Sequence, residues 1–382
     1  MFQREVRAEY LRGGTSKGVF FLDQDLPTDP VERDSLLLRV IGSPDPYQKQ
    51  VDGMGGATSS TSKVVVLKKS EREDCDVDYL FGAVAVDAPV IDWSGNCGNL
   101  TSAVGPFAIR NGLVKAPDNG IATITIWQQN IQKKIVAKVP MKEGQVQELG
   151  DFQLDGVTFP AAEIVLEFLD AGADGEGGVF PTGQVMDIVD VPGIGPLTVT
   201  MMNAGNPHIF IHAGQLGLLG TELPNGFNND ASLLAKCEQI RAFCTVKMGM
   251  AATPEEATRL RPHTPKLAFV SAPQSYEASS GVEVNKENID LVARILSMGK
   301  LHHAMTGTGG VGLAAAAAVK GTVVQLVVGE KAMRGEQINI GHSSGCMAVG
   351  ALASQSQEGD WAIEKVIMSR SARRLMVGSV LV

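Results

Sequence analysis

Short apolar, β-branched runs recur along the chain, at residues 18–22, 63–67, 83–86, 122–127, 135–139, 164–168, 197–202, 209–212, 267–271, 322–328 and 337–341. Their length and composition predict strands. Apolar positions at helical spacing predict helices over 29–41, 100–111, 229–248, 285–297 and 311–319. Strands outnumber helices, and the two do not alternate regularly. That pattern argues for mixed sheets and against a doubly wound parallel fold. The longest apolar stretch, 311–328, is interrupted by Lys320, Gly321 and Gln325. It reads as a buried helix, a turn and a strand, not as a membrane span.

A faint internal repeat underlies this order. The glycine turn Leu11-Arg12-Gly13-Gly14-Thr15-Ser16-Lys17-Gly18 feeds a strand, and so does Asn203-Ala204-Gly205-Asn206-Pro207-His208. Each half also carries a later polar turn before an apolar segment: Gly95-Asn96-Cys97-Gly98-Asn99 in the first and Gly341-His342-Ser343-Ser344-Gly345 in the second. Such self-similarity predicts two related domains, here 1–188 and 189–382.

Composition narrows the functional classes. At 382 residues, with 44% apolar and 20% charged positions, the chain can bury one or two substantial cores. A formal charge of −9 argues against nucleic acid or an anionic membrane as partner. It also means that an anionic substrate needs local help from backbone N–H groups and a few cations. The first ten residues carry Arg4, Glu5, Arg7 and Glu9 and no apolar signal-peptide core. Five cysteines without a Cys-x-x-Cys pair fit free thiols in a reducing compartment, so a cytoplasmic protein is expected.

Four segments hold candidate chemistry. The run Gly53-Met54-Gly55-Gly56-Ala57-Thr58-Ser59-Ser60-Thr61-Ser62-Lys63 offers many donors to an anion. It is not a P-loop, because Ser62 stands where glycine is required and a β-branched strand follows instead of a helix. Lys63 abuts that apolar strand; burial there would lower its pKa towards the range of a general base. The turn Gly95-Asn96-Cys97-Gly98-Asn99 leads into a helix, a place where free N–H groups stabilise a thiolate and bind carboxylates. In the turn at 341–346, His342 and Cys346 lack a nucleophile elbow and read as structural. Gly307-Thr308-Gly309-Gly310-Val311-Gly312 matches the dinucleotide spacing, with Glu330 beyond. The residues before it make a poor strand, and a helix N-terminus holding a substrate carboxylate explains the glycines equally well. His208 and His212 share a face but lack a third metal ligand in sequence, so packed or hydrogen-bonded histidines are the reading.

The long motifs Arg12–Gly18, 52–63, 92–99, His263-Thr264-Pro265-Lys266, 297–304 and Met368-Ser369-Arg370-Ser371-Ala372-Arg373 closely resemble the PrpF family, across nearly the whole chain. The pattern is closest to the branch acting on 2-methylaconitate. The resemblance implies an α+β fold: two pseudo-symmetric diaminopimelate epimerase-like domains, each a mixed sheet wrapped around a central helix, with substrate between them. It further implies that the C-terminal strand can return to the first domain. No cofactor and no metal are implied. Lys63 and Cys97 match active-site positions, and either is open as the base. The second cysteine of the epimerases falls at Ser344 on this reading, so a symmetric two-thiol mechanism is not expected. Substrate contacts are expected from Arg12, Thr15, Ser16, Lys17, Ser60, Asn96, Gly98, Asn99, Asn206, Thr308, Gly309, Ser343, Ser344 and Gly345. The implied partners are a small polycarboxylate, an iron–sulfur 2-methylcitrate dehydratase of propionate breakdown, and a second copy in a homodimer. A non-catalytic accessory role beside such a dehydratase is the competing class.

Overall fold

The computed structural model describes residues 4–172 and 178–382. The chain divides into two compact units, one formed by Met1–Leu166 with Ser369–Val382 and the other by Glu167–Met368. This division is earlier than the 188/189 position read from the sequence. The reason is local: Asp170 and Ala171 donate backbone hydrogen bonds to Glu364 and Ile363 (2.9 Å each), and Gly205 donates to Ala171. Residues 167–172 and 178–188 thereby belong with the second unit.

The first unit holds β1 (Glu5–Gly13), β2 (Ser16–Leu22), α1 (Pro30–Ile41), β3 (Lys63–Lys69), β4 (Val77–Val84), β5 (Ile91–Asp92), α2 (Gly98–Arg110), β6 (Gly120–Gln128) and β7 (Lys133–Lys142). The C-terminal strand Ala372–Leu381 pairs antiparallel with β1. From there the order runs β1–β2 antiparallel, β2–β3 parallel, β3–β4 antiparallel, β4–β6 parallel and β6–β7 antiparallel. Strand periodicity then sorts the side chains. Val64 and Val66 of β3 join Val19, Phe21, Leu37, Val40 and Ile41 in a core under α1. Lys63, Val65 and Leu67 alternate with them and point to the opposite face. α2, buried over residues 98–108, packs on β1, β2 and β7.

The second unit repeats this plan with β8 (Asp187–Val191), β9 (Gly195–Ala204), β10 (Asn206–His212), α3 (Ala231–Lys247), β11 (Lys266–Ser271), β12 (Leu291–Ser297), β13 (Lys300–Leu301), α4 (Gly307–Ala318), α5 (Val323–Val328), β14 (Ile338–His342) and β15 (Gly345–Gln355). Its order is β8–β9–β10 antiparallel, β10–β11 parallel, β11–β12 antiparallel, β12–β14 parallel and β14–β15 antiparallel. Strand for strand this is the first unit again, with β8 in the place of Ala372–Leu381. α4, buried along its whole length, is the counterpart of α2. Its small residues let the sheet approach closely; a Cβ on Gly310 would lie 2.0 Å from Met347 Cε. Val191, Val199, Ile209, Ile211, Ile240, Leu267 and Phe269 form the core on the other side, under α3.

Two expected elements are of the other type. Residues 285–297 were expected to be helical, yet Leu291–Ser297 is a strand buried at every position between β11 and β14. A wholly buried run has no solvent-facing side, and its Arg294 and Ser297 are buried too, so its period does not separate strand from helix. Residues 322–328 were expected to be a strand, yet Val323–Val328 is helical. Thr322 decides this locally: its hydroxyl accepts from Gln325 N (3.0 Å) and donates to Ala316 O (2.6 Å). A cap plus tertiary packing outweighs the β-propensity of valine. No helix among the described residues is long and apolar enough to cross a membrane.

Candidate active site

Lys63 opens β3 on the face that carries α2, and only 4% of its surface is exposed. Its entry depends on Gly18 opposite: a Cβ there would lie 2.8 Å from Lys63 O and 3.0 Å from Leu100 Cδ1. The ammonium nitrogen lies 4.9 Å from the centre of the Phe81 ring. The side chain of Cys97 lies close enough to act on it electrostatically. Burial lowers the Lys63 pKa, and Cys97 opposes that shift.

Cys97 is the N-cap residue of α2, yet its side chain makes no capping bond. The sulfur therefore faces the lysine instead of the first-turn N–H groups, which stay available to an anion. The turn is held from several sides. The Cys97 carbonyl accepts from Thr101 N (3.0 Å), Thr101 Oγ1 (3.0 Å) and Tyr79 Oη (3.4 Å). Burial raises the Tyr79 pKa well above its ordinary value, so the phenol stays neutral. Asn130, in the β6–β7 turn, ties Phe81 to Trp93: its side chain accepts from Phe81 N (2.9 Å) and donates to Phe81 O (2.9 Å) and Trp93 O (2.7 Å). Asn96 is fully buried and accepts from Thr101 Oγ1 (3.4 Å).

The other expected contacts of this unit gather on the β1–β2 hairpin tip and its neighbours. Asn99 Nδ2, beside Gly98 in the first turn of α2, donates to Thr15 Oγ1 (2.9 Å). Lys17 N donates to Ser60 O (2.9 Å), which brings the serine-rich loop beside the hairpin. The Lys17 ammonium lies 5.3 Å from the Tyr10 ring centre, and Ser16 is buried. Arg12 is turned to structure: it donates to Gly14 O (2.9 Å), Ser371 O (2.9 Å) and Ser371 Oγ (3.1 Å). Burial, reinforced by Arg373, lowers its pKa to about 10.

In the second unit, Asn206 Nδ2 donates to Thr308 Oγ1 (3.3 Å), and both residues are buried. Gly309 N donates to the N-cap hydroxyl of Thr306 (3.0 Å); a Cβ on Gly309 would lie 2.5 Å from that same oxygen. Thus the 307–312 glycines open the central helix. Ser343 and Ser344 form the β14–β15 hairpin turn and bond to the backbone of His302 and His303. Gly345 closes that turn with φ +141°. Of the two histidines weighed as a metal pair, His208 is buried while His212 is exposed and accepts from Gly214 N (3.1 Å).

The repeat corrects one assignment. The element order places the counterpart of Cys97 at Thr306, the N-cap of α4, not at Ser344. Ser344-Gly345 resembles Cys97-Gly98 only in its glycine, which closes a hairpin in one case and opens a helix in the other. Lys266, first residue of β11, is likewise the counterpart of Lys63, and sequence reasoning did not single it out for this role. The available signal was a lysine opening a wholly apolar strand twice, Lys63-Val-Val-Val-Leu and Lys266-Leu-Ala-Phe-Val. The copies differ in chemistry. Lys266 Nζ bonds His263 Nδ1 (3.3 Å), His263 O (3.2 Å) and Ser297 Oγ (3.3 Å). Lys63 instead touches a thiol and a ring.

A mixed sheet around a buried helix, built twice, defines a fold of the epimerase-like class. A solved hydroxyproline epimerase from Agrobacterium vitis shares the fold, with a TM-score of 0.57 at 12% identity over 99% of this chain and 93% of that one. The family described as PrpF protein matches residues 3–382, and the chain belongs to it. It is 57% identical to the 2-methyl-aconitate isomerase of Shewanella oneidensis and 55% identical to that of Cupriavidus necator, each over 99% of this chain and 97% of the relative. A solved methylitaconate-delta-isomerase superposes with a TM-score of 0.77 at 37% identity, covering 100% of this chain and 96% of that one.

Proposed function

We propose that this protein isomerises a small unsaturated di- or tricarboxylic acid, with 2-methylaconitate as its substrate. The observation that carries the reading is a buried lysine in contact with Cys97 at the mouth of a helix N-terminus. Aconitate-type acids have a CH₂ next to both a carboxylate and a C=C bond. The neutral Lys63 amine takes one proton from that carbon and becomes an ammonium. The electron pair left behind spreads over the allyl system and the carboxylate. The former double bond loses order and rotates, and the ammonium returns its proton to the same carbon. Return to the other end of the allyl system would shift the double bond instead. One site thus supports cis–trans isomerisation, the methylitaconate shift or the tautomerisation of 4-oxalomesaconate, according to pocket shape.

Charge decides whether this works. The intermediate adds negative charge to an acid already carrying two or three. First-turn N–H groups of α2 and the Lys17 ammonium supply fixed positive ends where that charge develops. Substrate carboxylates raise the Lys63 pKa, whereas burial lowers it, and the amine is a base only while burial prevails. Cys97 is then the neighbour that exchanges hydrogen bonds with the amine as it gains and loses its proton. The reading places the protein in the cytoplasm, in propionate breakdown beside an iron–sulfur 2-methylcitrate dehydratase, and as a homodimer.

The test is proton NMR of 2-methylaconitate and trans-aconitate with the pure protein in D₂O. Wild type is expected to interconvert isomers and to exchange solvent deuterium into the CH₂ group. Lys63→Ala is expected to stay folded and to lose turnover by at least about 10³-fold, the upper part of the range for general-base catalysis. Near-normal turnover in that variant removes Lys63 from the chemistry.

A further inference from the structure

The mechanism above uses the hairpin tip but leaves open what aims it. Arg370, at the end of the strand Trp361–Arg370, is 2% exposed and lies 271 residues from Asn99. Its Nε donates to Asn99 Oδ1 at 3.1 Å. A guanidinium N–H only donates, so it fixes the amide with oxygen towards Arg370 and nitrogen towards the hairpin. Asn99 Nδ2 in turn donates to Thr15 Oγ1 at 2.9 Å. An amide nitrogen also only donates, so the threonine oxygen accepts there. The Thr15 hydroxyl proton then points away from Asn99, and the Thr15 side chain makes no second hydrogen bond among the described residues.

The relay is sterically enforced. Gly14 has φ +51°, and a Cβ on it would lie 2.4 Å from Asn99 Oδ1, so no side chain fits between the tip and the amide. The residue after Arg370 clamps the same tip: Ser371 O accepts from Gly14 N (2.9 Å) and from Arg12 (2.9 Å).

We propose that Arg370 is a positioning residue which, through Asn99, turns the Thr15 hydroxyl outward as a donor to a substrate carboxylate. The inference rests on the polycarboxylate reading of this site. It adds a direction to it: Thr15 is a one-way donor, set by a residue that does not itself touch substrate.

A double-mutant cycle tests it on the full chain, with tricarballylate, a saturated and unreactive tricarboxylate, as the calorimetric probe and isomerisation kinetics as the second readout. T15V is expected to weaken tricarballylate binding about 10-fold or more, as for a lost hydrogen bond to a charged group, while T15S keeps it within about 3-fold. R370M is expected to weaken binding by a similar factor and to raise KM more than it lowers kcat. In the T15V background R370M should cost less than about 2-fold further, because the hydroxyl it aims is gone. If R370M fails to fold, N99A, which removes the relay and keeps the guanidinium, takes its place in the cycle with the same expectation. Additive losses, or a lower melting temperature with unchanged tricarballylate affinity, overturn the proposal while wild-type binding leaves the polycarboxylate reading intact. A wild type that binds no tricarboxylate overturns both.

Discussion

His208 makes the protein lose stability in mild acid by a calculable amount. It stands opposite Lys266 in the parallel β10–β11 pair, and none of its surface is exposed. Its Nδ1 donates to Asn206 O at 2.7 Å, its ring stacks on Phe210 with centroids 5.5 Å apart, and Nε2 makes no hydrogen bond among the described residues. A Cβ on Gly312 would lie 2.7 Å from Nδ1, so α4 is seated directly on the imidazole. Burial, reinforced by Lys266, lowers its pKa to about 3. The unfolded imidazole titrates near ~6.5. Between those values the unfolded chain binds a proton and the folded chain does not. This contribution is therefore complete above the unfolded pKa and is lost as pH falls below it. About pH 5 lies roughly 1.5 units below the unfolded value, and each unit is worth about 1.4 kcal/mol, so roughly 2 kcal/mol disappears between about pH 7.5 and pH 5. Urea denaturation of wild type and H208Q at both pH values isolates the group, because other titrating residues cancel in the difference. Wild type should lose roughly 2 kcal/mol more than H208Q over this interval. Parallel losses in the two proteins would refute a neutral, desolvated His208.

The remaining expectations concern the first unit. K63M should abolish isomerisation yet raise stability at neutral pH by about 1–4 kcal/mol, because it removes an amine that must give up its proton, or bury its charge, on folding; its lead should narrow as pH rises towards ~10.5, where the unfolded lysine also loses its proton. Reduced stability at neutral pH would contradict the burial argument. The acid limb of kcat/KM should rise with pH to a midpoint below the ordinary lysine value, and K63A should lack that limb. N130A deletes the three bonds between the β6–β7 turn and residues 81 and 93; thermal unfolding should report a loss of about 1–3 kcal/mol and kcat should fall, since the Cys97 turn loses its brace. G18A forces the β2–β3 pair apart at Lys63 and should cost about 1–3 kcal/mol by denaturation.

Legibility in the sequence followed the range of the interaction that decided each feature. Runs with a polar rhythm or a clear boundary, such as 63–67 and 122–127, became strands because nothing distant had to overrule them. The turn at Cys97 was legible because glycine and asparagine before an apolar helical pattern mark a helix start by local chemistry. Segments 285–297 and 322–328 were misread for opposite reasons. In the first, the strand's polar residues, Arg294 and Ser297, are themselves buried, so they mark no solvent face. In the second, one threonine cap with tertiary packing outweighs four neighbouring valines. The Asn99–Arg370 contact joins residues 271 apart, and only the return of the C-terminal strand to β1 creates it. No local pattern carries that information.

The repeat explains why one lysine is a candidate base and its twin is not. Both open a parallel partner of the hairpin strand, and both lie beside the start of a central helix in the element order. What differs is what stands across the strand pair and at the helix cap. Opposite Lys63 is Gly18, which leaves room for the lysine backbone and Leu100 and contributes no charge. The N-cap is Cys97, whose sulfur is uncommitted to capping. Opposite Lys266 is His208, and the N-cap is Thr306, whose hydroxyl is spent on Gly309 N. Two hydrogen-bond acceptors and a hydroxyl then surround the Lys266 side-chain nitrogen. The first copy surrounds its amine with a ring and a thiol, and burial there favours the neutral form. On the proposed mechanism, unlike caps on a duplicated scaffold set the proton-transferring Lys63 apart from its counterpart Lys266. Exchanging the caps alone, by C97T, should therefore leave Lys63 buried and active at a reduced rate, whereas K63R should not work at all, because a guanidinium cannot give up its proton.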